Sequence, residues 1–284
     1  MEFSTINLIL VKVEDNFKFQ GRRRLLALEL KKRGIVNKQI IKSIETVPRH
    51  LFVDPGLSEQ AYIDKALPIE SNQTISQPYT VAFQTQLLNP VSGEKILEIG
   101  TGSGYQTSIL CFLKTDVYTI ERNHNLFRST TKLFNRLNIN PVRFKYGDGY
   151  KGLIDDSPFD GILITAGSPN VPEELLKQLK VGGRMVVPIG KKIQVMTKIT
   201  RISINDFKEE AQIDNRLDFI PYLRFTQYTG FMPTLPGYTG GVIQRQMRVY
   251  GGMSNSAFGD ISRSKFNMDA GFTYSNIGSI GKTV

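Results

Sequence analysis

The sequence predicts an α/β fold, a doubly wound and mostly parallel sheet with helices on both faces. Three observations carry that expectation. From Lys95 onward, short apolar runs alternate with helical stretches of about ten residues, the rhythm of strand–crossover–strand units. The first of these runs opens into Gly100-Thr101-Gly102-Ser103-Gly104, a glycine-rich turn between a strand and a helix. The chain is 40% hydrophobic over 284 residues, which is ample for a packed core.

Taken in order, residues 22–33 and 37–46 read as two helices separated by Gly34, the second carrying Ile40, Ile41 and Ile44 at helical spacing. Val47-Pro48 ends the second. Residues 51–78 read as irregular, punctuated by Pro55, Gly56, Pro68 and Pro78. Regular alternation then begins. Strands are expected at 95–99, 117–120, 142–146, 159–165 and 184–189, with a further β segment at 194–204. Helices are expected at about 105–114, 125–137 and 172–179. Residues 224–284 differ in kind: they hold ten of the 25 glycines and nine aromatics but no glutamate. Residues 242–250 and 271–277 in that tail could alternate as short strands. The expected organisation is therefore an N-terminal extension at 1–20, a catalytic domain at 21–223 and an unassigned tail at 224–284.

Composition narrows the chemistry. One cysteine, Cys111, excludes an internal disulfide framework and a cysteine-based zinc site, and two histidines, His50 and His124, make a histidine-rich metal centre unexpected. No metal is expected. The apolar run 6–13 is too short to span a bilayer and lacks the flanks of a secretory signal. A cytoplasmic protein, monomeric and with no membrane partner, is the expectation. Formal charge is +10, but its distribution decides its meaning. Residues 1–50 carry eleven basic against five acidic side chains and residues 224–284 carry six against two, whereas residues 51–223 carry nineteen of each. A nucleic-acid enzyme would place its basic surface around its catalytic core, so no nucleic-acid partner is expected. The run Arg22-Arg23-Arg24 to Lys31-Lys32-Arg33 reads as a solvated helix face.

In doubly wound sheets, ligands sit at the carboxyl ends of the strands. After the first sheet strand, glycines at 100, 102 and 104 let backbone approach a ligand closely. A dinucleotide fingerprint needs a third small residue where Tyr105 stands, so that reading fails. A nucleoside with a compact polar tail, such as S-adenosylmethionine, suits the loop. The second strand ends in Glu121, an acceptor for both ribose hydroxyls, and the third is followed by Gly147-Asp148-Gly149, whose carboxylate can accept from an adenine amino group. Three such signals at three strand ends point to one nucleoside-type site. After the fourth strand, Ile164 to Pro169 lacks the Asp/Asn-Pro-Pro-aromatic stretch of amine methyltransferases, which argues against an amine substrate. Thr74 and Ser76 also admit a purely structural role, capping the helix that Pro78 begins.

Val47-Pro48-Arg49-His50-Leu51-Phe52-Val53, Leu67-Pro68-Ile69, Gln73-Thr74-Ile75-Ser76-Gln77-Pro78-Tyr79 and Leu97 to Thr107 together resemble the protein-L-isoaspartate O-methyltransferase family. Gly147-Asp148-Gly149, Phe159-Asp160-Gly161 and Gly182-Gly183-Arg184 continue the likeness in order, over about residues 20–223. The resemblance implies a Rossmann-like class I S-adenosylmethionine-dependent methyltransferase fold, with S-adenosylmethionine as cofactor and isoaspartyl-containing proteins and peptides as partners. It implies that Ser76 is the active-site hydroxyl, with Thr74 and Gln77 positioning substrate. It also implies that Gly100, Thr101, Gly102, Ser103, Gly104, Glu121, Asp148 and Gly149 hold the cofactor. His50 then supports the loop over the site, His124 and Cys111 read as surface and core, and Arg201 as a solvated charge. An isoaspartyl α-carboxylate, with a pKa near 3.5 like a chain terminus, is already ionised at pH 7 and needs no strong base. Two readings stay open beside it: another S-adenosylmethionine-dependent O-methyltransferase, and a cofactor-binding module without activity. The likeness ends near Leu217 to Leu223, which resembles the family's terminal strand, so it leaves the tail unexplained.

Overall fold

A computed structural model of the chain describes residues 15–190 and 194–212. The strands expected around 217–223, 242–250 and 271–277 lie outside the described residues. The first helix, α1 (Phe17–Lys32), starts five residues before its expected position, because the Asn16 side chain accepts from Phe19 N and caps it there. Helix α2 (Lys38–Thr46) follows, capped by Asn37. The stretch read as irregular holds a small antiparallel hairpin, β1 (Leu67–Ile69) and β2 (Gln73–Ile75), turned by Ser71 and Asn72 at positive φ. Helix α3 (Pro78–Leu88) then leads into β3 (Lys95–Ile99), α4 (Tyr105–Phe112), β4 (Asp116–Glu121), α5 (His124–Leu137), β5 (Arg143–Tyr146) and β6 (Phe159–Ile164). Helix α6 (Glu173–Lys177) is shorter than expected, because Leu179 already belongs to β7 (Leu179–Ile189). Strands β8 (Val195–Arg201) and β9 (Phe207–Gln212) close the described chain.

Seven strands form one sheet in the order β5-β4-β3-β6-β7-β8-β9. The pairs from β5 across to β7 are parallel, and β8 and β9 add antiparallel. Strand order reverses between β3 and β6, so the crevice outside their carboxyl ends is the expected ligand position. Side chains alternate across the sheet, apart from an irregularity between Phe159 and Gly161 in β6. Ile96, Leu163 and Val186 pack into one apolar cluster with α1 to α4, while Leu97, Ile162, Ile164, Met185 and Val187 pack into the other with Leu175 and Leu176 of α6. Two covered faces explain why these strands read as continuous apolar runs.

Two expected surface charges are structural instead. Arg23 is buried, holding Asp15 through both its terminal nitrogens at 2.9 Å and donating to the Glu45 carbonyl and the Tyr62 hydroxyl. The basic helix face is thus solvated only in part. Arg201, from the end of β8, donates to the carbonyls of Lys177, Leu179, Ser203 and Ile204, tying the β8–β9 turn to the start of β7. A guanidinium has five donors in a fixed fork, which suits it to collecting carbonyls that a sheet leaves unpaired.

Candidate functional site

The carboxyl ends of β3, β4 and β6 open into a cleft lined by the 100–103 loop, Glu121, Arg122, Asp148, Gly149, Thr165 and, from the hairpin side, Gln73 to Ser76. At two positions the loop lies so close to its neighbours that only glycine fits. A Cβ on Gly104, at φ +84°, would stand 2.4 Å from the Phe134 ring, and one on Gly100 would stand 2.6 Å from Thr165 Oγ1. Gly104 lets α4 begin directly against α5. Thr130 of α5 fastens the loop by donating to the Gly102 carbonyl at 2.6 Å, and Thr165 does so at the Ile99 and Gly100 carbonyls.

Glu121 is buried and fixed by two backbone donors: Gly102 N on Oε2 at 2.8 Å and Asn123 N on Oε1 at 2.7 Å. A carboxylate has about four acceptor positions, so each oxygen keeps a lone pair for a hydroxyl in the cleft. Asp148 is exposed at the rim, where Oδ1 accepts from Tyr150 N at 3.0 Å. Gly149 lets this rim close down: a Cβ there would meet Ile99 Cγ2 at 2.4 Å. The residues expected to hold a nucleoside are therefore gathered at one cleft, with a backbone cradle that side chains would fill. They fit S-adenosylmethionine.

On the hairpin side the structure separates three residues that the motif groups. Thr74 and Ser76 are half-buried at the cleft and Ile75 is buried in its wall, while Gln77 is buried away from it. Gln77 is a correction to its expected role. Its amide donates to the Asp64 carbonyl and carboxylate and its oxygen accepts from Thr80, so it builds the segment instead of facing a substrate. The capping role considered for Thr74 and Ser76 is also replaced. At the start of α3 the Tyr79 N–H is taken by Asp64 Oδ1 at 2.7 Å, and no side chain of the preceding residues caps the helix. Among the described residues, the half-buried Ser76 hydroxyl makes no hydrogen bond.

His50 is not at the cleft. It is buried beneath the 61–66 loop, bonded to the Tyr62 hydroxyl at 2.6 Å and stacked on Phe19 at 4.1 Å. His124 is exposed at the start of α5, and Cys111 is half-buried with its thiol pushed up to about 12 by burial, which leaves it unreactive. A second cavity of about 460 Å³ is lined by Arg23, Phe52, Cys111, Phe112, Leu137 and Asn140 among others. It lies at the carboxyl ends of α4 and α5, hence at the amino ends of the parallel strands, opposite the chemistry. Of the cleft residues, the sequence reading passed over Gln73, Arg122, Tyr150 and Thr165. Arg122 and Thr165 had a signal, each standing one residue past the end of a parallel strand.

The profile of the protein-L-isoaspartate(D-aspartate) O-methyltransferase family matches residues 21–224. The chain belongs to this family. Relatives bearing the name protein-L-isoaspartate O-methyltransferase include one from Christiangramia forsetii, 49% identical over 195 residues (69% of this chain, 92% of that protein). Another, from Flavobacterium johnsoniae, is 48% identical over 211 residues (74% of this chain, 98% of that protein). A solved protein-L-isoaspartate O-methyltransferase superposes with a TM-score of 0.62 at 31% identity, covering 69% of this chain and 64% of that one. A Plasmodium falciparum structure titled as a β-aspartate methyltransferase, in complex with S-adenosyl-L-homocysteine, shares the fold with a TM-score of 0.59 at 24% identity, covering 68% of this chain and 94% of that one. Membership of the methyltransferase family agrees with the order of the sheet and the position of the glycine loop.

Proposed function

We propose that this chain transfers the methyl group of S-adenosylmethionine to the free α-carboxylate of L-isoaspartyl residues in proteins and peptides. The resulting ester closes to a succinimide, whose hydrolysis returns part of the damage to normal aspartate. The observation that carries the reading is the Ser76 hydroxyl, without a partner among the described residues, in the same cleft as the nucleoside cradle.

When bound, S-adenosylmethionine supplies a methyl group on a positively charged sulfur. The chain's own residues do the rest by placement. Glu121 would accept from the cofactor's ribose hydroxyls and Asp148 from its adenine amino group, and the 100–104 backbone would hold its amino-acid end. Ser76 donates its hydroxyl proton to one oxygen of the acceptor carboxylate and turns the other toward the reacting methyl, with Thr74 beside it on the same face. No general base is required, because the acceptor is ionised at neutral pH. Positioning of this kind is worth about 7–11 kcal/mol in favourable cases. The transfer joins an anion to a cation and leaves two neutral groups, so a dry cleft favours it. Ile75, Val81, Ile99, Ile120 and Leu126 supply apolar walls.

We read the protein as a monomer acting in the cytoplasm without a nucleic-acid or membrane partner. The charge-neutral stretch 51–223 supports the lack of a nucleic-acid partner. The deciding experiment is methyl transfer from radiolabelled S-adenosylmethionine to an isoaspartyl peptide and to its aspartyl twin. Label in the first alone is expected. Label in neither, with S-adenosylmethionine still bound, would leave a binding module; label in both would leave a different O-methyltransferase.

A further inference from the structure

One buried ionisable group beside the cleft has no part in the mechanism above. Glu98, on β3, is completely buried, and its Oε2 accepts from Thr107 Oγ1 at 2.5 Å and from Thr119 Oγ1 at 2.7 Å. Its other oxygen, Oε1, is buried with no hydrogen-bond partner. Thr119 in turn touches Thr101 Oγ1 at 2.6 Å, and Thr101 lines the cleft.

A hydroxyl has one proton, and an ionised carboxylate only accepts. Thr119 must spend its proton on Glu98, so the proton in the 2.6 Å contact must come from Thr101. The chain of hydrogen bonds therefore runs one way, from Thr101 to Thr119 to Glu98. With its proton committed inward, Thr101 Oγ1 has only lone pairs left for a ligand. We propose that Glu98, acting through Thr119, is a positioning residue that makes Thr101 a pure acceptor in the cleft, selecting a cofactor whose amino-acid end carries an ammonium donor. The inference rests on the cofactor site described above and adds to it a reason for the buried acid. Burial pushes the Glu98 carboxyl up to about 7, so at pH 8 the ionised form prevails.

The test is calorimetric binding at pH 8 of two ligands: S-adenosylhomocysteine, and 5′-methylthioadenosine, which keeps the nucleoside thioether but has no amino-acid end. Thr119→Val removes the link while preserving shape. It frees the Thr101 proton to turn into the cleft against the ammonium, and is expected to weaken S-adenosylhomocysteine by less than the roughly tenfold of a lost hydrogen bond to a charged group, and to leave methylthioadenosine unchanged. Glu98→Gln keeps an oxygen that accepts from both threonines and is expected to retain the preference for the ammonium ligand. Thr101→Val, which removes the acceptor itself in the buried cleft wall, should cause the selective loss of about tenfold even if Thr119→Val folds poorly. Equal weakening of both ligands would show a loop merely loosened and would overturn the proposal, as would no change in either. Failure of the unaltered protein to bind either ligand would overturn the site reading on which it stands.

Discussion

Replacing Glu98 by glutamine changes how the stability of the fold depends on pH, and the size of that change follows from the site. The carboxyl is wholly buried, two threonine hydroxyls stabilise its charged form, and Glu121 opposes it; burial wins and raises the pKa from 4.5 to about 7. Between those two values the folded protein holds a proton that the unfolded chain has released. Stability therefore falls as pH rises through that window and is flat above it. Integrated from pH 5 to pH 8, the loss is about 2.5 kcal/mol. Glutamine does not titrate, so the variant escapes this loss. Its amide nitrogen, buried at the place of the unpartnered Oε1, costs about 1–3 kcal/mol at every pH, which is why the slope and not the absolute difference is diagnostic. Urea denaturation of both proteins, without cofactor, at pH 5 and pH 8 measures it. The variant should gain about 2.5 kcal/mol relative to the parent between the two. A gap that stays constant with pH would mean that Glu98 ionises alike in folded and unfolded chains, and the argument from burial would be wrong.

Ser76→Ala should lower kcat/KM for an isoaspartyl peptide by about ten- to a hundredfold, the worth of a hydrogen bond to a charged group. It should leave the melting temperature unchanged, since that hydroxyl bonds no described residue; wild-type turnover in a steady-state assay would refute the role. Gln77→Ala should do the reverse, costing about 1 kcal/mol of stability in urea through its lost bonds to Asp64, with the peptide KM unaltered. Gly104→Ala drives a methyl into the Phe134 ring from a left-handed backbone position and should cost about 1–3 kcal/mol, read by thermal melting, with cofactor affinity falling alongside. Removing residues 225–284, which lie beyond the family match, should leave methyl transfer at the full-length level, and an unfolded product would sink that expectation.

The central sheet was legible because its strands are buried on both faces and so appear as apolar runs: Ile96 and Leu97 serve opposite clusters within one strand. Strand β9 was not, because Phe207–Gln212 reads as a charged stretch and pairs in the described sheet only with β8. The β1–β2 hairpin was hidden by the shortness of its strands, three residues each, one of them holding Pro68. At the site, residue types at strand ends located the cofactor residues, since topology alone brings those ends together. Direction was harder. Gln77 sits in the same motif as Ser76, yet extended backbone turns successive side chains to opposite sides, and the alternation of half-buried Thr74 and Ser76 with buried Ile75 and Gln77 shows it. That alternation was present in the sequence and outweighed by the motif. Arg23 and Arg201 could not have been read at all, because their carbonyl and carboxylate partners lie on other elements.

The bonds around Ser76 explain how one small hydroxyl can be held in place without being held by its own atoms. Asp64 accepts from the Tyr79 N–H, from Gln77 and from Arg33, and the Arg33 guanidinium lies 4.2 Å over the Tyr79 ring. The start of α3 is thus locked by a carboxylate from outside the motif. On the other side, β2 pairs with β1 up to Leu67↔Ile75, and the hairpin turn reaches the α5 cap through Ser71 and Asn123. Ser76 stands between these two anchors, fixed by backbone on both sides. Its hydroxyl is therefore free to be spent on a substrate at no cost in broken internal bonds. Had Ser76 been the helix cap, its oxygen would have accepted a backbone N–H and its proton could have pointed only where that bond allowed. Giving the cap to Asp64 leaves the Ser76 hydroxyl to be oriented by the acceptor alone, as suits a catalyst that works by positioning.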